Sequence, residues 1–184
     1  PAQQVTRLYE SWDDPAWSPG VLSETRQSVI NALGQGHNVV IGFGGGGPDL
    51  LEAGVRFGPD PQLLTVPDVL GLANGDRAGH VWLLTSLVSA FDQPTSLAEA
   101  FLRAPAGGAV TVIAPSDLTF SFPAFQMTRR FVEVAFDEGV ATIGEALVRA
   151  RADMVSSGFN GAIVMAYQLL GDPLLRVFSQ SPVA

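Results

Sequence analysis

Ala109-Val110-Thr111-Val112-Ile113-Ala114 is an apolar run with almost no polar alternation, preceded by Gly107-Gly108 and followed by Pro115-Ser116. Alternation marks a strand with one face in water. Its absence marks a strand buried on both faces. Two earlier runs read the same way: Asn38-Val39-Val40-Ile41-Gly42-Phe43 and Val81-Trp82-Leu83-Leu84-Thr85. Helical patterns separate them. Strands that alternate with helices and carry no polar face predict an α/β domain, with a mostly parallel sheet covered on both sides.

Working outward, residues 1–20 read as an irregular lead-in whose Trp12 and Trp17 cover apolar surface. A helix is expected from Ser18-Pro19, with Leu22, Val29 and Leu33 near one face and Gly34 as its stop. Gly44 to Gly47 and Pro48 form a loop, and the stretch 49–72 holds short helical pieces. Asn74-Gly75 is a turn. Ser96-Leu97-Ala98-Glu99 is a capping box, as is Thr142-Ile143-Gly144-Glu145, which opens a helix to about Ser157. Residues 120–138 form a long amphipathic helix anchored by Phe125, Phe131, Val132 and Phe136. A last helix covers 162–170, Gly171-Asp172-Pro173 breaks it, and 174–178 is the fourth strand. The expected organisation is a lead-in at 1–20, an α/β domain at 21–178 and a tail at 179–184. Four strands are few for such a sheet, so its first strands are expected to be absent or supplied from elsewhere.

Composition removes whole classes of function. The chain has 184 residues, a net charge of -8 and no Cys. All ten basic residues are Arg, in no basic run, which disfavours nucleic acid and anionic membranes as partners. Without Cys there is no disulfide framework, zinc-thiolate site or cysteine nucleophile. Two His cannot build a three-His metal centre, so neither metal nor cofactor is expected. No apolar run is long enough to span a bilayer. No secretory leader is visible, although a chain beginning at Pro1 fits one already processed. The composition is 47% hydrophobic with mean hydropathy +0.26, high for a fully solvated monomer. Part of the surface is therefore expected to meet a protein partner or a copy of itself.

Candidate chemistry gathers where strands end. Gly42-Phe43-Gly44-Gly45-Gly46-Gly47 satisfies G-x-G-x-x-G, but a dinucleotide site needs a helix opening on those glycines and an acidic residue ending the next strand. Asp68 instead sits at a helix start, so a sheet-edge loop is the better reading. Ser86 follows the second strand, at the edge where ligands collect, but not in G-x-S-x-G. His37 and His80 precede their strands. In a parallel sheet both lie at the other edge, roughly 15–20 Å from Ser86 at about 3.3 Å per residue, and both read as surface residues. Glu145 is a capping partner and Asp172 a turn former. Asp92 and Asp117 start loops on the ligand edge without calcium-loop spacing. Arg129-Arg130, Arg149 and Arg151 read as solvated helix faces. The candidate ligand edge comprises Gly44, Gly45, Asp49, Ser86, Asp92 and Ser116.

The order of pieces resembles the gingipain-type cysteine peptidases of the caspase-like group. The matching pieces begin with Leu33-Gly34-Gln35-Gly36, Val39-Val40-Ile41-Gly42-Phe43-Gly44 and Leu72-Ala73-Asn74-Gly75-Asp76. They continue through Leu83-Leu84-Thr85-Ser86, Ala90-Phe91-Asp92, Ser96-Leu97-Ala98-Glu99-Ala100 and the run from Gly107 to Ser116. Ile143-Gly144-Glu145-Ala146-Leu147 and Tyr167-Gln168-Leu169-Leu170-Gly171-Asp172-Pro173 complete the order. The resemblance implies a caspase-like three-layer α/β sandwich, lacking its first strands, and an extracellular or cell-surface location. It also implies a general-base His where Phe43 stands and a nucleophilic Cys where Ser86 stands. Phe has no proton to exchange, and a Ser hydroxyl without a base is nearly unreactive at neutral pH. One change could be an engineered trap; two look like natural loss of catalysis. The Arg-only, Ala/Gly/Pro-rich composition fits a GC-rich bacterial genome.

The expected function is a catalytically inactive domain serving as a structural or protein-binding subunit of a larger assembly. A hydrolase using Ser86, with Asp92 or Asp49 as base through water, is the alternative. A nucleotide or phosphate binder at Gly44 to Gly47 is the third.

Overall fold

The computed structural model describes residues 5–10, 21–53, 62–92 and 94–177. The expectations for Trp12, Trp17, the Ser18-Pro19 helix start, Phe178 and the 179–184 tail lie outside these residues. The central sheet contains β3 (Val39–Gly42), β7 (Gly79–Leu83), β8 (Ala109–Pro115) and β9 (Tyr167–Gly171), in the order β3-β7-β8-β9. The first three are parallel and β9 runs antiparallel to β8.

Register explains the missing alternation. Val40, Val81, Val112 and Leu170 form one row, and Ile41, Trp82, Ile113 and Leu169 the next. The first row packs with Leu64, Val69, Val88 and Phe101. Trp82, Ile113 and Leu169 pack on the other face with Met127, Phe131, Leu147 and Tyr167. Both faces are therefore core. The helices α1 (Arg26–Gln35), α2 (Val66–Leu70) and α3 (Leu97–Arg103) precede β8 in sequence, and α4 (Ser121–Val132), α5 (Ile143–Ser156) and α6 (Gly161–Ala166) follow it. The result is a three-layer α/β sandwich with a mostly parallel sheet, as the sequence indicates.

Local signals fix several helix starts. Ser96 Oγ accepts from Glu99 N at 3.3 Å while Glu99 Oε2 accepts from Ser96 N at 2.8 Å. Thr142 Oγ1 likewise accepts from Glu145 N, but the Glu145 carboxylate turns to Arg149 at 2.7 Å rather than closing a capping box. Asp68 sits at a helix start as expected, accepting from the backbone and hydroxyl of Thr65 and from Arg26 through two nitrogens. These bonds, with the Arg26 charge, hold its carboxyl below the ordinary range against the opposing effect of desolvation.

Several expectations are overturned. The first helix begins at Arg26 and is capped by Thr25, because β2 (Val21–Ser23) pairs in parallel with β1 (Arg7–Tyr9), so the lead-in also contains a strand. Its C-cap is Gly36 at φ 77°, a left-handed conformation suited to glycine, and not Gly34. The described residues of 45–65 form an antiparallel sheet of β4 (Gly45–Gly47), β5 (Leu50–Glu52) and β6 (Gln62–Thr65), and among the described residues α2 is the one short helical piece of 49–72 that forms. The last helix stops at Ala166 because residues 167–171 pair along β8 and occupy its open side. The expected strand at 174–178 reduces, in its described part, to one bridge between Thr142 and Arg176. Phe125 is not an anchor: α4 buries Ala124, Met127 and Phe131, and Phe125 lies off that face, 56% exposed.

The arginines are also less uniform than expected. Arg130 gathers Glu133, Glu138 and Asp153 from 2.6 to 3.4 Å, tying α4 to α5. Arg151 is half-buried, its Nε and Nη2 shielded and without a partner among the described residues, and burial lowers its pKa. Arg129 and Arg149 do occupy exposed positions, each ion-paired.

Candidate functional site

The parallel strands all end on one side, and the loops that leave them are stitched together. Leu84 N donates to Gly42 O at 2.9 Å, and Thr85 Oγ1 donates to Gly44 O at 3.1 Å, joining the loops after β3 and β7. Ser89 Oγ donates to Ala114 O at 2.9 Å, and Leu87 N to Asp117 O at 3.3 Å, joining those after β7 and β8. Ser116 donates through N and Oγ to Ala166 O, at 2.9 and 3.2 Å, joining β8 to the end of α6. Leu87 takes φ 66° in the tight turn after Ser86, an uncommon conformation for a branched residue.

Ser86 is part of this stitching. Its Oγ donates to Thr119 O at 3.2 Å and accepts from Thr119 N at 3.0 Å. Its hydrogen is thus held by a backbone carbonyl, and a lone pair by an amide. Thr119 Oγ1 lies 3.2 Å from the Tyr167 hydroxyl, whose pKa burial raises. Among the described residues neither Asp49 nor Asp92 hydrogen-bonds Ser86, although the alternative reading required one of them through water. A nucleophile needs a base within reach; here the hydroxyl clasps a loop. A fluorophosphonate probe is therefore expected to leave Ser86 unlabelled. Ser86→Ala is expected to lower stability by about 1 kcal/mol by releasing Thr119. Labelling at Ser86 that disappears in the alanine variant would instead establish the hydrolase.

The other candidates disperse. Phe43 lies beside Gly44, 52% exposed, and offers no proton chemistry. Gly45 belongs to β4, so no helix opens on the glycine run and the nucleotide cradle is not formed. Asp49 lines a cleft of about 420 Å³ with Pro48, Val66, Pro94 and Thr95. Asp92 and Asp117 are exposed, and Asp117 Oδ1 accepts from Leu118 N. Asp172 forms its expected turn by accepting from Leu174 N at 2.8 Å. His80 pairs with Val39 at the opposite ends of the strands, as expected, but it is buried rather than superficial. Thr111 Oγ1 and the Arg176 carbonyl engage its two ring nitrogens at 2.7 and 2.9 Å. No cluster of three His, Cys, Asp or Glu suited to a metal occurs among the described residues.

Sequence reasoning missed the residues that give this edge its character. Leu118, Phe120, Phe122 and Phe125 are 56–65% exposed and follow β8, while Phe91 is 59% exposed after the Ser86 turn. With Phe43 they make the carboxyl edge apolar. The signal was present in Leu118, Phe120, Phe122 and Phe125, four large apolar residues clustered between β8 and the first turns of α4.

A mostly parallel sheet between helix layers, with loops converging at its carboxyl edge, defines a caspase-like α/β domain. The chain belongs to peptidase family C25, which matches residues 1–178. Among solved structures it is similar to the Arg specific cysteine proteinase gingipain R, with 19% identity over 85% of this chain and TM-score 0.71. It is also similar to the complex of Porphyromonas gingivalis RgpB pro- and mature domains, with 18% identity over 85% of this chain and TM-score 0.71. A further protease matches with 15% identity over 80% of this chain and TM-score 0.67. The chain spans 37–39% of the length of these proteins, and the likeness is one of fold. No curated protein matches. Membership in a peptidase family, in 184 residues without a cysteine, supports an inactivated peptidase domain.

Proposed function

We propose that this domain, residues 21–178, is a protein-binding subunit of a larger assembly, held through the apolar carboxyl edge where catalysis has lapsed. The observation that carries this reading is the exposed set Phe43, Phe91, Leu118 and Phe120 on the loops of this edge, with Phe122 and Phe125 in the first turns of α4. Full burial of one such side chain contributes about 1.5–3 kcal/mol, so a few of them suffice for a specific contact. Exposed Asp92 and Asp117 among them favour a partner that carries apolar groups beside basic ones. β3 adds a second opportunity. Among the described residues it pairs only with β7, and an unpaired strand edge is a template for another strand. The Ser86 hydrolase and the Gly44 to Gly47 phosphate site gain nothing from the geometry. Kinship with gingipain R, a proteinase family with secreted members, supports an extracellular or cell-surface setting.

Native mass spectrometry, with identification of every co-eluting chain, tests the proposal. The expected result is a species heavier than the 19.4 kDa chain. A Leu118→Asp/Phe120→Asp variant is expected to return it to that mass without loss of thermal stability, since both side chains are largely exposed. A lone monomer at high concentration, with no co-eluting chain, would overturn the reading.

A further inference from the structure

A cleft of about 170 Å³ runs along β3 between α1, the β1 segment and the β5–β6 strands. Its walls are mostly apolar, among them Leu33, Leu64 and Phe101, and its polar groups are Thr6, Glu24 and His37. An apolar cavity of about 150 Å³ admits a benzene ring, so the space suits one ring or a short aliphatic chain.

Glu24 sets the chemistry. It is half-buried, and its carboxyl is raised to about 7, first by desolvation and then by the nearby charge of Glu10. Among the described residues Glu24 forms no ion pair, and Arg26, two residues on, forms a bidentate pair with Asp68. His37 is the other titratable group lining the cleft. An ammonium group beside Glu24 would offset both the desolvation and the repulsion from Glu10, while an apolar body filled the space behind it. The chain contains no lysine, so no ammonium side chain can come from within it.

We infer that this cleft binds a small primary amine with an apolar body of about benzyl size, its ammonium held by the Glu24 carboxylate. The inference does not rest on the apolar partner surface proposed above. Ligand-observed NMR at pH 8 with benzylamine, and with benzyl alcohol as its neutral counterpart, tests it. The wild-type chain is expected to prefer the amine by about tenfold. Glu24→Gln is expected to keep binding both compounds while losing the preference. Ala32→Leu, which fills the cleft from α1, is expected to weaken both. Glu24→Gln removes a carboxyl that resists ionisation, so its melting temperature at pH 8 should equal or exceed the wild-type value, confirming its fold. Equal binding of the two compounds to wild type, an amine preference surviving in Glu24→Gln, or no binding of either compound would each overturn the inference.

Discussion

Asn74→Ala is expected to lower the stability of the domain by about 3 kcal/mol, more than any single change at the carboxyl edge. Asn74 is 4% exposed, and its amide clasps one residue of the turn before β8 from both sides. Its Oδ1 accepts from Gly108 N at 2.7 Å, and its Nδ2 donates to Gly108 O at 2.9 Å. Gly108 has φ 90°, where a side chain would be strained and would meet the Phe101 carbonyl, so the turn has no ready substitute geometry. Gly75 N adds a bond to Ala106 O at 3.0 Å. Alanine at position 74 would leave a buried N–H and a buried C=O unpaired at the start of a central strand, at about 1–3 kcal/mol each. Urea denaturation measures the change. A loss below about 1 kcal/mol would mean that water reaches the turn.

His80→Ala is expected to cost about 3 kcal/mol at pH 8 and to flatten the acid limb of the stability profile. A carbonyl oxygen can only accept, so the ring nitrogen facing Arg176 O must be Nε2–H, and in the neutral ring Nδ1 accepts from the Thr111 hydroxyl. Alanine would strand both partners and leave space in the core. Burial is the largest influence on the imidazole and lowers its pKa, opposed by the bond to Arg176. The sign follows from linkage. The folded state binds this proton less readily than the unfolded state, whose His titrates near pH 6.5. The contribution is therefore complete above about pH 6.5 and is lost as pH falls toward the lower folded value. Thermal melts from pH 8 to pH 5 read this directly. A variant whose profile parallels the wild type would show that His80 carries no pH dependence.

Both residues lie toward the starts of the strands, whereas the apolar surface and Ser86 lie at their ends. The division separates a buried polar framework at the strand starts from an apolar surface at their ends. A nucleophile position must present its hydroxyl to substrate, but Ser86 has both its hydrogen and a lone pair taken by Thr119. The loop that Ser86 holds carries Leu118 and Phe120, so the hydroxyl engaged by Thr119 supports the surface proposed for binding.

Much of this was legible in the chain itself. Three apolar runs without alternation meant strands covered on both faces; β7 and β8 are largely buried, while β3, at the sheet's edge among the described residues, is only partly covered, with Ile41 47% exposed. Capping motifs at Ser96 and Thr142 located two helix starts, since capping involves residues only three apart. The absence of Cys removed thiol chemistry outright. Tertiary structure decided the rest, and in each case the deciding contact was distant in sequence. Tyr167-Gln168-Leu169-Leu170 has an apolar pattern that suits a helix, but an open side of β8 made it a strand. The glycines at 45–47 became a strand because Leu50–Glu52 folds back on them, with Gln62–Thr65 beyond. His80 looked superficial until Arg176, 96 residues away, covered it. Helix starts are set by near neighbours and can be read locally. Strand pairing and the burial of polar groups depend on which distant segment fills the adjacent space, and only the folded chain supplies that neighbour.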